Sequence, residues 1–412
     1  MEFHLANFTV RKGQKVSGFL TLPFTDEGLP ATIIYGEEDG DTVLITGGVH
    51  NAEYVGIEAV TGLARELEPK DVRGILILIH IVNINGFRAR TVSVSREDGK
   101  NLNRVFPGSM DGTFTDKLAY FMEKELFSRI NYYIDVHNGD WFEDLTPFIY
   151  SIGNAAPKTV AKAEEMAKRA DVPFYVKSGI GSGGAYNYAG TLGVPSVLIE
   201  RGCKGQWSEE EAEASRKDVR NILRYLGVLM TEPEPQRQVP VHMHHVHYLD
   251  SVKEGCWHPF KNAGDAVKKG ECIGVLKDYF GNVIEEVRMR EDALILYQTI
   301  SYSVPADSPL VAYGHYGECV DEIEEEAADQ VPDDCMDHSH EANGKFFHGE
   351  HSHGEYGPHT HGGYDHQHHD DHDHAHHGDH VHNDYDGYSH PEAASDEYNN
   401  GETQQTDAEN DK

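Results

Sequence analysis

The segment Gly47-Gly48-Val49-His50-Asn51-Ala52-Glu53 follows an apolar, β-branched stretch, so an imidazole and a carboxylate three residues apart fall in the first turn after a strand. A hydrolytic zinc wants this mix, with three protein ligands and one position open to water. Asp135-Val136-His137-Asn138 ends a second apolar run, and Ser196-Val197-Leu198-Ile199-Glu200 ends a third in an acid. Open α/β sheets place ligands at the carboxyl ends of their strands. Between the first two motifs lies the run from Arg96 to Gly108, with Asn101-Leu102-Asn103-Arg104 at its centre. The forked donors of a guanidinium suit a carboxylate or an oxyanion. Each motif alone also has a structural reading: a capping glutamate, a core histidine, a strand-end acid on the surface. Four such coincidences at successive strand ends favour chemistry.

The elements that must position these residues are legible as alternation. Strand-like runs fall at 32–35, 42–46, 75–82, 132–136, 147–150, 173–176 and 196–200. Several are continuously apolar, as expected for strands covered on both faces. Helical patterns fall at 55–67, 116–129, 157–170 and 209–226, the last opening with Ser208 as an N-cap before three acids. The fold class that follows is α/β, a mixed, mainly parallel sheet with flanking helices. Residues 1–230 read as the catalytic domain. Residues 231–241, with three prolines, read as a linker. Residues 242–317 read as a small all-β accessory domain, sandwich- or barrel-like, and 318–412 as a disordered acidic, His-rich tail.

The order G-G-x-H-x-x-E, N-L-N-R-x-F-P-G, D-x-H and I-E-x-G resembles the succinylglutamate desuccinylase/aspartoacylase family, a branch of the carboxypeptidase A-type zinc hydrolases. The resemblance covers roughly residues 1–317. It implies one catalytic zinc held by His50, Glu53 and His137, and a zinc-activated water with Glu200 as general base. It also implies that Arg96, seven residues before Asn103, stabilises the oxyanion, and that Asn103 and Arg104 bind a substrate carboxylate. Many members carry Asp where this chain has Asn101, and the family's further substrate-contacting arginine and tyrosine find no match. The function implied is hydrolysis of an amide bond in a small N-acylated amino acid. The alternative is a zinc carboxypeptidase acting on short or cell-wall peptides, which would use the same residues. A third reading is a metal-storage protein with a relic hydrolase domain, against which the complete residue set argues.

Composition bounds the partners. The net charge of −35 is concentrated: 27 acids against Lys345 and Lys412 from Glu318 onward leave only −10 for residues 1–317. No basic patch stands out, which argues against nucleic acid and anionic membranes. The expected partner is a small carboxylate-bearing substrate. Five scattered cysteines without a C-x-x-C pair suit a reducing compartment. The apolar run 74–82 is too short to span a bilayer. A cytoplasmic enzyme is expected, its oligomeric state open. Of 27 histidines, 17 lie between His338 and His390, interleaved with acids, which suggests additional weakly bound zinc or nickel. The G-x-G-x-x-G at 179–184 reads as a loop at the site's rim. His80 reads as a satisfied core histidine, and Arg88, Arg90 and Arg201 as structural or surface charges.

Overall fold

The structure is a computed structural model that describes residues 2–316; the acidic, His-rich segment lies outside the described residues. Strand Glu38–Gly47 shows why the core runs were legible. Its Leu44 packs into one hydrophobic cluster, while Val43 and Ile45 pack into another on the opposite face. Alternate side chains of a strand point to opposite faces, so a strand buried on both must be apolar throughout. The same division holds for Arg73–Ile79, with Ile77 and Ile79 on one side and Leu76 and Leu78 on the other.

These strands belong to one large mixed sheet. Its order is Gln14–Thr21, Gly28–Tyr35, Arg73–Ile79, Glu38–Gly47, Tyr132–His137, Ser196–Glu200, Phe148–Ile152, Phe174–Ser178, Val241–Asp250, Pro309–Tyr316, Ala293–Thr299 and Ala266–Val267. The short strand Glu143–Leu145 pairs off this path with Ala293–Thr299. The sheet is not mainly parallel as the sequence suggested. Parallel pairing joins Arg73–Ile79 through Ser196–Glu200, and again Phe148–Ile152 through Val241–Asp250, while both flanks are antiparallel. Each parallel crossover needs a long connection, usually a helix. Strands Gln14–Thr21 and Gly28–Tyr35 are joined by a short connection and pair antiparallel, and the strands beyond residue 250 add to the main sheet antiparallel as well.

Helices lie at Tyr54–Glu66, Pro157–Ala167 and Glu209–Tyr225, close to the expected places. The hydroxyl of Ser208 accepts from the backbone N–H of Glu211 at 3.2 Å, the expected cap. The helix expected at 116–129 runs only over Phe114–Phe121, then loosens into a π turn at Met122–Leu126. Ala185–Thr191 is helical although its Tyr- and Gly-rich sequence gave no such signal. The β region expected from 242 onward has two layers. Val241–Asp250, Ala293–Thr299 and Pro309–Tyr316 extend the main sheet. Gly255–Pro259, Cys272–Lys277, Val283–Arg288 and Ser303–Val304 form a separate four-stranded sheet. The layers share a core of Trp257, Leu276, Ile295 and Val311. Among the described residues no helix is long and apolar enough to cross a membrane.

Candidate metal centre and active site

Three adjacent parallel strands end side by side. Gly47 is the register partner of Val136, and Glu200 that of His137. The chain leaves Gly47 through Gly48 in the left-handed region (φ +65°), a conformation L side chains resist, and this turn delivers His50 and Glu53 over the strand ends. Glu53 is the N-cap residue of helix Tyr54–Glu66. That helix lies so close to the sheet that a Cβ on Gly56 would sit 2.2 Å from the carbonyl oxygen of Val136.

His50, Glu53 and His137 are all buried, at 1–2 % exposure. The Nδ1 of His50 lies 2.7 Å from one Glu53 oxygen, and the Nδ1 of His137 lies 2.7 Å from the other. The remaining ring nitrogens indicate which tautomer each histidine holds. The side-chain oxygen of Asn101 accepts the backbone N–H of Asn103 at 2.8 Å and lies 3.2 Å from His50 Nε2, so that nitrogen is the donor. Asp135 Oδ2 lies 3.0 Å from His137 Nε2, within ion-pair range though off the line of a good hydrogen bond. Asp135 is itself held by the Thr46 hydroxyl at 2.6 Å. In the tautomers with the proton on Nε2, two Nδ1 lone pairs face one carboxylate. That arrangement repels unless a proton or a cation lies between, and second-shell acceptors on metal-binding histidines fix this orientation.

The electrostatics agree with the donor set. Burial alone would raise the Glu53 carboxyl, but His137 and His50 outweigh it and hold Glu53 ionised. Burial opposes charge on His137, yet the Glu53 and Asp135 carboxylates draw a proton to it strongly. Two imidazoles and one carboxylate in a buried, net-negative cluster fit a divalent zinc. The backbone N–H of Asn138 donates to Glu53 at 3.3 Å, and Asn138 also accepts from Gly56, tying ligand, strand and helix together.

Glu200 lines the same cavity as His50 and His137, and its Oε2 is a buried atom without a hydrogen-bond partner among the described residues. Burial, then the Glu53 carboxylate, push its carboxyl well above the usual range. Asn103 also lines the cavity, its side-chain oxygen accepting the backbone N–H of Ala185 at 2.7 Å. Arg104 is half-buried beside it and acts on the Tyr248 hydroxyl. Arg96 is elsewhere: it stands exposed on a turn closed by Ser95 and Lys100, outside the cavity lining. Arg201 bonds Asp218 and the Asp171 carbonyl, and His80 bonds Thr32, the structural roles expected of them.

The sequence reading missed the wall facing the triad. Tyr150, Tyr186, Tyr248 and Tyr297 line it, the first and third joined through their hydroxyls at 3.2 Å. Tyr248 and Tyr297 come from the C-terminal β region, beyond the last of the motifs. Glu143 also lines the cavity, and Asp140 beside it is pushed up to about 7, chiefly by burial.

The family model described as the succinylglutamate desuccinylase/aspartoacylase catalytic domain matches residues 39–226. The N-alpha-acetyl-L-2,4-diaminobutyric acid deacetylase of Halomonas elongata is 28 % identical over 293 residues, 67 % of this chain and 83 % of the relative. The product-bound ectoine utilization protein EutE (DoeB) of Ruegeria pomeroyi is 27 % identical with a TM-score of 0.68, covering 76 % of this chain and 98 % of that one. A succinylglutamate desuccinylase/aspartoacylase of Rhodobacter sphaeroides is 25 % identical with a TM-score of 0.67, covering 74 % and 97 %.

Proposed function

We propose that this chain, which belongs to the succinylglutamate desuccinylase/aspartoacylase family, hydrolyses the amide bond of a small N-acylated amino acid, with a zinc ion held by His50, Glu53 and His137. The observation that carries this reading is the convergence of two Nδ1 atoms on the Glu53 carboxylate, with the partnerless Oε2 of Glu200 in the same cavity. Zinc, when bound, supplies Lewis acidity and brings the pKa of water down to about 7.

The chain's own residues do the rest. Glu200 takes a proton from the attacking water at its carboxylate and returns it to the leaving amine nitrogen, a transfer worth roughly 10²–10⁴-fold. Its burial suits this, since a carboxyl with a raised pKa releases and recovers a proton near neutral pH. Asp135, 3.0 Å from His137 Nε2, favours the tautomer that presents Nδ1. Arg104 binds the substrate's carboxylate, Asn103 shapes the floor beside it, and Arg96, on its exposed turn, is assigned to the oxyanion. The tyrosine wall, to which the C-terminal β region contributes Tyr248 and Tyr297, narrows the cavity, which supports a small amide over a peptide. The deacetylase named for the Halomonas relative supports the same choice. The histidines between 338 and 390 are proposed, from composition alone, as further weak sites for zinc or nickel.

The test is release of free amine by the zinc-loaded protein from a panel of N-acyl amino acids and dipeptides. Turnover confined to the N-acyl amino acids is the expected result. Dipeptide cleavage at equal or greater efficiency would replace this reading by the carboxypeptidase one.

A further inference from the structure

A second set of metal-ligating side chains lies outside the catalytic cavity, where the sequence reads His242-Met243-His244-His245-Val246-His247. The strand Val241–Asp250 pairs antiparallel with Pro309–Tyr316, His244 opposite His315 and His247 opposite Tyr313. A step of three residues on the first strand thus matches a step of two on the second, which is a β-bulge. His245, inside it, is held in the left-handed region at φ +49°. Without the bulge residues 244 and 247 would point to opposite faces; with it, both share the face of His315. Met243 and Val246 pack on the opposite face, against Phe148 and Phe174. Tyr248, the neighbour of His247, lines the catalytic cavity, so the His247 side chain is turned away from it.

Glu291, in the turn between the strands Val283–Arg288 and Ala293–Thr299, reaches two rings on that face. Its Oε1 lies 3.5 Å from His247 Nε2 and its Oε2 lies 3.0 Å from His315 Nε2. One carboxylate between two imidazoles repeats the plan of Glu53 between His50 and His137. The donors are spread wider here. Among the described residues only the catalytic three bring one ligand atom each within 4.8 Å of one another. His247 is exposed and Glu291 and His315 are half-buried, so rotation of these side chains closes the gap. Burial, aided by His315, His245 and Arg290 and opposed by Glu291, keeps His247 below the usual imidazole range. The ring is therefore neutral at pH 7, the form that ligates a metal.

We infer that His247, Glu291 and His315 form a second site for a divalent transition metal, zinc above all, on the face of the C-terminal β region turned away from the catalytic cavity. Two imidazole nitrogens and a carboxylate oxygen are a donor set suited to zinc, with water filling the remaining position. The site goes beyond the deacylase reading and shares no residue with the cavity lining. It is weaker than the catalytic centre, because its side chains lose rotamer freedom on closing around the metal, whereas His50, Glu53 and His137 are already buried. It is also distinct from the histidines between 338 and 390, which follow the end of the strand that carries His315.

The test titrates zinc alone into the full chain and scores each histidine for acylation by diethyl pyrocarbonate at pH 7.5. Peptide mass spectrometry reads His247 and His315 separately from the histidines of 338–390, and no reading depends on turnover. Zinc should protect His247 and His315 together, at one shared midpoint, while His258, which packs on Tyr302, stays reactive. Glu291→Gln should move that midpoint to roughly tenfold higher zinc or more, equivalent to about 1.4 kcal/mol. His247→Ala should abolish the protection of His315, and thermal melting checks the fold of both variants. Reactivity of either ring unchanged through the whole titration overturns the inference. So does a midpoint that Glu291→Gln leaves in place, or protection of His315 that survives His247→Ala.

Discussion

Asp135 and His137 stand two residues apart on one strand, and the side chains meet: Asp135 Oδ2 lies 3.0 Å from His137 Nε2. Residues two apart on a strand share a face, so the D-x-H spacing is itself the device that aligns carboxylate and ring. Thr46, on the neighbouring strand and in register with Asp135, fixes the other carboxylate oxygen. The orientation of this ligand is therefore set before any metal arrives.

From that follows a prediction about affinity. Asp135→Asn should weaken zinc binding by about 10–100-fold while leaving the protein folded, as outer-shell changes of this kind do. His137→Ala should abolish tight binding altogether. Competition against a chromogenic chelator, with the His-rich segment deleted to remove its background, measures both. An Asp135→Asn protein with wild-type affinity would show that the strand geometry alone holds the ring.

Glu200→Gln separates ligand from base. The variant should keep about one zinc per chain and lose at least a hundredfold in turnover, because the side chain moves a proton and does not coordinate. Elemental analysis beside steady-state kinetics reads both quantities. Near-normal turnover would remove Glu200 from the mechanism, and loss of the metal would make it a ligand.

What the sequence revealed and what it hid divide along one physical line. His50, Glu53, His137 and Glu200 were legible because each follows or ends a strand buried on both faces, and such strands advertise themselves as unbroken apolar runs. Tyr150, Tyr186, Tyr248 and Tyr297 carry no such mark. Each sits in a different element, and only the tertiary fold brings them to one wall. The helix Ala185–Thr191 was hidden because its stabilisation is borrowed: Asn103 satisfies the N–H of Ala185, and Ala185, Tyr186 and Ala189 pack into the core. Tertiary contacts of this kind override weak local propensity.

The two arginines of the 96–104 segment should fail differently. Arg104→Ala should chiefly raise KM, since a guanidinium on a carboxylate that does not change during reaction gives uniform binding. Arg96→Ala should chiefly lower kcat, if its exposed turn brings it to the charge that develops on the carbonyl oxygen. Neither arginine is in the cavity lining, and Arg96 is the exposed one of the two, so this pair of variants is a sharp test. Unchanged kinetics for Arg96→Ala would leave the oxyanion to other groups.

The last prediction concerns stability and pH at the seam between the strands Phe174–Ser178 and Val241–Asp250. His242 is the register partner of Tyr175 and stacks on it with ring centroids 4.7 Å apart. Burial, then His244 and Lys177, bring His242 down to about 4, with Lys168 acting in the same direction and Glu164 against it. An unfolded histidine takes its proton near about 6.5. Between pH 6.5 and 4 the unfolded chain therefore binds a proton that the folded chain refuses, and stability must fall as pH falls through that window. Above about 6.5 this residue adds no pH dependence. Because His242 is only half-buried, solvent screening reduces the effect to the order of 1 kcal/mol. His242→Phe keeps an aromatic face for Tyr175 and removes the titration, so its denaturant midpoint should drop less than the wild type's between pH 7.5 and pH 5. Parallel pH profiles for the two proteins would mean that the seam opens far enough to protonate His242 without unfolding.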